Sequence, residues 1–361
     1  MNNFDKWDKL FREQNLFPFN QNNNGILWLK VRAICRSKQI SQFVAENDLS
    51  LTSTKISLMN RELFELLENR ENSVDMLNRF LQNLNHEWYE NLNVDKDSLK
   101  EDLYKVQSYL WGGDQNNSLD KYLVSHFVKA IDKFSELERR KGEIATNAWN
   151  YVQNSWYNNW TSFLIESIFK QNERVISAVG EIKSVDFFID EYPIDLKVTF
   201  FPNQFMEEKL KVNFGKSKIS WLKSKAKNVG ITVDSKAPVS QQVYTLKEKL
   251  YESGYTDILN ELKSAEQKVI QESCENSIEL MTWLYENQGE LRFGAENRIY
   301  LILANMECLE DSWKLKRAIS QLEPIINEYL NSFTQDSLKE IEFCFKKRNF
   351  KALSDVIFFI R

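Results

Sequence analysis

The sequence predicts an α/β protein in which helices enclose a mixed central sheet, preceded by a mostly helical N-terminal domain. Three observations indicate this class. Only 10 glycines and 5 prolines in 361 residues favour substantial helix over a loop-rich or all-β chain. Apolar residues recur at three- and four-residue spacing up to about residue 145. After about residue 150, alternating apolar runs typical of strands appear between the helical patterns.

The helical N-terminal domain is predicted over residues 1–148. Apolar side chains fall on one face of four predicted helices, at residues 26–37, 73–92, 98–111 and 118–145. Between the first two, residues 40–69 contain two shorter helical patterns joined around Asn47 and Asp48, which predicts a helix-turn-helix. Such a pair either reads DNA or belongs to an ordinary helical bundle. We therefore expect this domain to serve in target recognition or in assembly.

The second domain is predicted over residues 149–361. Its elements, in order, are a helix at 154–171, a strand at 174–181, a hairpin at 184–200, a polar lysine-rich segment at 203–240, helices at 241–273 and 277–289, a strand at 298–305, a helix at 312–333 and a strand at 352–360. Helices that alternate with strands in this order predict an α/β sandwich around a mixed sheet.

The predicted hairpin consists of the runs SVDFFI and PIDLKVTF, separated by the turn sequence DEYP. Asp186 lies in the first run, and Asp195 and Lys197 lie in the second. Removing a carboxylate from water costs on the order of several kcal/mol unless it is paired or metal-bound. These residues therefore form a candidate site. The alternative is a structural ion pair between Asp195 and Lys197 beside a solvated Asp186.

The spacing of these residues resembles the PD-(D/E)XK nuclease superfamily, whose best-known members are type II restriction endonucleases. Asp186 is followed nine positions later by Asp195, and Lys197 comes two positions after that. Val185 stands where the family often has proline. The predicted order of a helix, three strands, a helix and a strand over residues 155–305 is also similar to the family core. The resemblance implies a restriction-endonuclease-like α/β sandwich.

The same resemblance implies a divalent metal, Mg²⁺, for which Mn²⁺ can substitute. Its ligands would be the carboxylates of Asp186 and Asp195, the backbone carbonyl of Leu196 and a glutamate from the helix before the sheet. Glu166 matches that helical position. The alternatives for the third carboxylate are Glu173 and Glu181. Hard oxygen ligands of this kind suit Mg²⁺, which lowers the pKa of a bound water and neutralises developing charge.

Lys197 completes the expected catalytic set. Alternation along the strand puts Asp195 and Lys197 on one face, with Leu196 on the other. The lysine is therefore expected beside the metal-bound water, where it orients or deprotonates the water and stabilises transition-state charge.

A basic segment follows the proposed catalytic strand, with seven lysines and two glutamates over residues 206–227. Lysines there would bind a phosphate backbone with little sequence information. The residues predicted to contact DNA are Lys216, Lys218, Lys223, Lys225, Arg292 and Arg298. Ordinary solvation explains the lysines equally well, and capping or turn-building explains the two arginines.

We expect a Mg²⁺-dependent DNA endonuclease of the restriction or phage-defence type, working as a homodimer if it cuts both strands. Alternatives are a structure-specific repair or recombination nuclease, an RNase of the same fold, and a non-catalytic nucleic-acid-binding regulatory protein. The polar N-terminus and the lack of an apolar run of about 18 residues predict a cytoplasmic protein that spans no membrane. The four scattered cysteines are expected to be buried free thiols.

Overall fold

A computed structural model describes residues 2–34, 36–110, 118–178 and 185–361. Within these residues, six strands form one sheet, in the order β1-β2-β3-β4-β6-β5. The strands are β1 (Val175–Ser177), β2 (Phe187–Ile189), β3 (Tyr192–Phe200), β4 (Arg298–Ala304), β5 (Lys339–Phe345) and β6 (Arg348–Ile360). The first three strands pair antiparallel, β3, β4 and β6 run parallel, and β5 pairs antiparallel with β6. The prediction of an α/β fold with a mixed sheet is confirmed.

The N-terminal part is helical, as the sequence predicts. Its helices are α1 (Asn3–Arg12), α2 (Asn23–Ala33), α3 (Ser37–Glu46), α4 (Ile56–Leu67), α5 (Ser73–Glu90), α6 (Lys96–Leu103), α7 (Leu119–Leu123) and α8 (Phe134–Arg139). The single helix expected at 118–145 is broken, because a π-helical turn at Val124–Val128 follows α7. Helices α1–α5 share a hydrophobic core with Ile176 of β1 and Phe188 of β2. The N-terminal helices thus pack directly on the predicted hairpin.

Helices cover both faces of the sheet. On one face lie α9 (Lys141–Lys170) and α15 (Ile319–Ser332), packed on Ile299 and Leu301 of β4. On the other face lie α10 (Asn203–Phe214), α11 (Lys218–Asn228), α12 (Val239–Glu252), α13 (Thr256–Glu275) and α14 (Ile278–Glu286). Tyr300 and Ile302 of β4 point to this second group, since side chains alternate along a strand. The sheet therefore has two cores, and α9 runs without a break across residue 148, the predicted domain boundary.

Three local predictions differ from the structure. The lysine-rich segment at 203–240 contains α10 and α11, and the helix expected at 241–273 is two helices, separated at Gly254 with a φ of 80°. Strand β5 was not predicted from its sequence, KEIEFCF, whose charged residues lie at an exposed edge. Its hairpin to β6 turns through Lys346 and Lys347, both with positive φ, although such turns favour asparagine and glycine.

The predicted helix-turn-helix corresponds to α3 and α4. Their connection spans residues 47–55, which is longer than the turn of three or four residues in that motif. Thr52 and Ser53 do not cap α4 directly; their amides and hydroxyls donate hydrogen bonds to the carboxylate of Glu62 within α4. Helix α4 is thus hydrogen-bonded to the loop that connects it to α3.

In the described part of the chain, no helix is both long and apolar enough to cross a membrane. Cys274, Cys308 and Cys344 are free thiols, but they are exposed, so the prediction that they are buried is wrong. Cys35 lies outside the described residues.

Candidate active site

The strand register places Asp186 beside Asp195. Phe187 of β2 pairs with Ile194 of β3, and both side chains enter the core under α9. The backbone amide of Asp186 donates to the carbonyl of Ile194 at 2.8 Å and its carbonyl accepts from the amide of Ala178 on the β1 side, so the regular pairing of β2 with β3 ends at Phe187. Asp195 follows Ile194 on β3, so its side chain points to the opposite face of the sheet, whereas Asp186 directs its carboxylate to the amide of Leu196. The two carboxylates are therefore neighbours at this end of the hairpin, close enough for the charge of Asp195 to raise the pKa of Asp186.

The backbone of Leu196 links the two strands at this point. Its amide donates a hydrogen bond of 2.8 Å to Oδ2 of Asp186. The amide of Asp195 donates instead to the carbonyl of Asn297, on the β4 side. Amide and carbonyl of one strand residue leave the strand on the same edge, so the carbonyl of Leu196 also faces the Asp186 edge. This carbonyl is thus available beside the two carboxylates.

Asp195 is buried between two cations. Its Oδ1 accepts a hydrogen bond of 2.7 Å from Nζ of Lys197, and its Oδ2 accepts one of 3.1 Å from Nε of Arg298. Arg298 reaches Asp195 because β3 and β4 run parallel with these two residues in register. Lys197 is 47% exposed, so the site opens to solvent on its side. The ion pair between Asp195 and Lys197 that the alternative interpretation predicts is present, and Arg298 adds a second cation.

Among the residues that the structure describes, Asp186 forms no ion pair with a lysine or arginine. Burial, the charge of Asp195 and, to a smaller degree, the charge of Glu166 raise the pKa of Asp186 to about 6. The Leu196 amide and Lys197 oppose this shift. The two aspartates are thus unequal: Asp195 is paired on both oxygens, and Asp186 carries an uncompensated charge near neutral pH. Such a position favours the binding of a cation.

Arg298 is held by a second carboxylate that the sequence did not single out as its partner. Nη2 of Arg298 donates to Glu296 Oε2 at 2.9 Å, and the guanidinium lies over the ring of Tyr285, 4.9 Å from its centroid. Tyr285 Oη donates to the backbone carbonyl of Glu296 at 2.7 Å. The sequence signal is the ENR tripeptide at residues 296–298, in which two polar residues precede β4 and Arg298 begins this buried strand. It could have suggested an internal ion pair.

Of the three candidates for the third carboxylate, Glu166 comes closest to the predicted role. This residue lies on α9, forms an ion pair of 3.1 Å with Lys170, and contributes to the raised pKa of Asp186. Glu173 is exposed, and Glu181 lies outside the described residues. In the ranges that the structure describes, no three histidine, cysteine, aspartate or glutamate side chains form a metal-binding group. Glu166 therefore does not join the two aspartates in a ready-made triad.

The residues predicted to contact DNA fall into two sets. Lys216, Lys223 and Arg292 have no ion pair among the described residues, and their side chains reach solvent. Lys218 and Lys225 pair with Glu266 and Glu261, each at 2.6 Å. Arg298 is only 4% exposed. The first set is therefore available to an anionic ligand, whereas the second set and Arg298 are engaged within the protein.

The donor set at the hairpin suits a hard divalent cation. Mg²⁺ is usually bound through one or two carboxylates, with the remaining positions filled by water or substrate phosphate. Asp186, Asp195 and the carbonyl of Leu196 are oxygen donors on adjoining strands, and the charge of one aspartate acts on the other. These residues fit Mg²⁺ better than a zinc site, which would need nitrogen or sulfur ligands.

Comparisons with protein-family models, with curated proteins and with solved structures find no match to this chain.

Proposed function

We propose that this protein is a Mg²⁺-dependent DNA endonuclease with a fold of the PD-(D/E)XK type. The observation that carries the proposal is the pair of aspartates on adjoining strands. The carboxylate of Asp186 accepts from the amide of Leu196 next to Asp195, the charge of Asp195 helps to raise the pKa of Asp186 to about 6, and Lys197 lies 2.7 Å from Asp195. A carboxylate pair with an adjacent amine is what metal-assisted phosphodiester hydrolysis requires.

The chain topology also supports the proposal. Helix α9 precedes the antiparallel strands β1, β2 and β3, and helices then lead to β4, which lies parallel to β3. This is the order of a helix, three strands, a helix and a strand that the family resemblance implies. Asp186 directly precedes the second of these strands, and Asp195 and Lys197 lie on the third.

The side chains of the site have distinct chemical roles in this proposal. When bound by Asp186, Asp195 and the Leu196 carbonyl, Mg²⁺ supplies Lewis acidity and neutralises charge on the phosphate. Asp195 is pre-oriented by two cations, so little reorganisation is needed at that ligand. Lys197 is exposed on one side, and its ammonium can therefore hydrogen-bond to a phosphate oxygen or hold the attacking water.

A supercoiled plasmid incubated with Mg²⁺ provides the direct test. We expect nicking or linearisation by the wild-type protein, and a loss of at least about 100-fold in rate for Asp195→Asn and Lys197→Ala. Asp355→Asn is the matched control for the aspartate. Asp355 is a partly buried strand residue of the same sheet, but it pairs with Tyr329 on the opposite face and should not affect cleavage. Lys351→Ala on β6 is the control for the lysine.

A comparison of cleavage rates on different substrates determines which nucleic acid the protein cuts. Restriction-type cleavage by a homodimer predicts that duplex DNA is cut at defined sites on both strands. A repair or recombination nuclease would prefer branched DNA, and an RNase would prefer RNA. The initial rates on duplex, branched, single-stranded and RNA substrates at one Mg²⁺ concentration rank these possibilities.

One observation favours the non-catalytic alternative, a nucleic-acid-binding regulatory protein. Both carboxylate oxygens of Asp195 are already engaged, by Lys197 and by Arg298, as in a structural ion-pair network. In that case Mg²⁺ and Mn²⁺ leave every substrate intact, and nucleic-acid binding is salt-sensitive but indifferent to EDTA. Undiminished cleavage by both the Asp195→Asn and the Lys197→Ala variants would falsify the assignment of the site.

A further inference from the structure

Four charges of alternating sign run from the interior to the surface of the candidate site. Glu296 binds Arg298 at 2.9 Å, Arg298 binds Asp195 at 3.1 Å, and Asp195 binds Lys197 at 2.7 Å. The first three side chains are buried, and only the last reaches solvent. Each charge is thus compensated by its neighbour in a region from which water is largely excluded.

Arg298 is held in one orientation within this row of four charges. Its side chain is enclosed by the ring of Tyr285 and by Tyr300, whose hydroxyl lies 3.4 Å from Nη1. Its backbone carbonyl accepts a hydrogen bond of 2.9 Å from Ser354 Oγ on β6. A planar guanidinium binds two carboxylates at set angles, which an ammonium cannot do. Its orientation is therefore determined by packing and by the sheet, and not by any substrate.

We infer that Arg298 is a positioning residue for Asp195, and that Glu296 positions Arg298. This inference rests on the proposed function and assigns to Arg298 a role different from the DNA contact that the sequence predicts. Arg298 holds Oδ2 of Asp195 by its Nε, so that the carboxylate keeps one orientation toward Asp186 and Lys197. It acts on the reaction only through Asp195, because its guanidinium is buried and touches no open surface.

The two roles of Arg298 predict different kinetics. A DNA-contacting arginine contributes to substrate affinity, so its loss raises KM and lowers the salt dependence of binding. A positioning arginine contributes to metal binding and to kcat, so its loss leaves the KM for DNA nearly unchanged. Partners that orient metal ligands typically affect metal affinity or activity by about 10- to 100-fold when they are mutated.

The experiment compares Arg298→Gln and Arg298→Lys with the wild type. Mg²⁺ affinity is measured by calorimetry without DNA, and kcat and KM are measured on plasmid DNA. For Arg298→Gln we expect about 10- to 100-fold weaker Mg²⁺ binding and a similar fall in kcat, at unchanged KM. Arg298→Lys should restore part of both, because it keeps the charge but loses the two-carboxylate geometry. Wild-type Mg²⁺ affinity and kcat in a folded Arg298→Gln protein would overturn the inference, as would a change confined to KM.

Loss of Arg298 leaves the buried Glu296 without a cation and leaves Asp195 with Lys197 alone, and Arg298→Gln can therefore fail to fold. Glu296→Gln with Arg298→Met removes the buried pair together and gives a second test by the same measurements. A crystal structure of either variant shows directly whether the Asp195 carboxylate has turned away from Lys197. The two proposals fail on different results. A wild-type protein that neither binds Mg²⁺ nor cuts DNA contradicts the proposed nuclease function. An Asp195 carboxylate that keeps its position in a variant without Arg298 contradicts the positioning role.

Discussion

The carboxylate of Asp186 accepts a 2.8 Å hydrogen bond from the backbone amide of Leu196 on the adjoining strand. This bond holds Asp186 next to Asp195 although the two carboxylates repel each other. Burial and that repulsion raise the pKa of Asp186 to about 6, so a proton or a bound cation is stabilised at this site. The pH dependence, metal binding and stability of the protein should all reflect this relationship.

The first prediction concerns pH. The pKa of Asp186 is about 6 in the folded protein and about 4 in the unfolded chain. Protonated Asp186 therefore stabilises the fold fully below about pH 4, and this contribution is lost as the pH rises through about 6. The free energy of unfolding should therefore fall by up to about 3 kcal/mol between pH 4 and pH 6 because of Asp186 alone. Urea unfolding of the wild type and of Asp186→Asn across this range measures the difference. Parallel pH profiles for the two proteins would contradict the prediction.

The second prediction concerns DNA affinity. Lys216 and Lys223 are free of ion pairs among the described residues, so each is available to release a counterion on binding a phosphate. Lys216→Gln and Lys223→Gln should each lower the slope of log affinity against log salt by about 1. Lys218→Gln is the control, because Lys218 is paired with Glu266 and mostly shielded from solvent. Equal effects of all three substitutions on the slope would show that the ion pair does not determine availability.

The third prediction concerns the contact between the N-terminal helices and the hairpin. Lys30 of α2 is completely buried, and its ammonium binds Asn78 and lies 3.1 Å from Glu191 in the turn between β2 and β3. Glu191→Ala leaves this ammonium buried without its carboxylate and should destabilise the protein by about 3 kcal/mol. Lys30→Met removes the buried charge at similar volume, and Glu191 is half-exposed and can be solvated. We therefore expect Lys30→Met to cost about 1 kcal/mol or less in urea unfolding.

The fourth prediction concerns Gly294, which leaves room for the carboxylate of Glu296. A Cβ at this position would lie 1.9 Å from Glu296 Oε2, so Gly294→Ala must displace the side chain that holds Arg298. A loss of about 1 to 3 kcal/mol in stability is expected, together with weaker Mg²⁺ binding. Gly142→Ala is the matched control, since nothing lies within 4 Å of its Cβ and it is in helix α9. That substitution should stabilise the protein by up to about 1 kcal/mol, since alanine favours helix.

Much of the fold and the centre of the candidate site could be predicted from local sequence. The alternating runs around Asp186 and Asp195 predict a hairpin, which β2 and β3 form, and the two-residue period places Asp195 and Lys197 on one face of β3. The helical spacing before residue 145 likewise predicts the helical N-terminal part. The boundaries were less accurate. Strand β5 was missed because an exposed edge strand with charged residues lacks a continuous apolar signal.

What the sequence determined by itself was the local pattern: which segments form helices or strands, and that Asp195 and Lys197 share one face of their strand. Only the tertiary structure decided that Arg298 lies opposite Asp195, since 103 residues separate them in the chain. The physical reason is that the period of a strand is a local property. The register between β3 and β4 depends instead on how the helices between them pack against the sheet, and that packing is cooperative over the whole core.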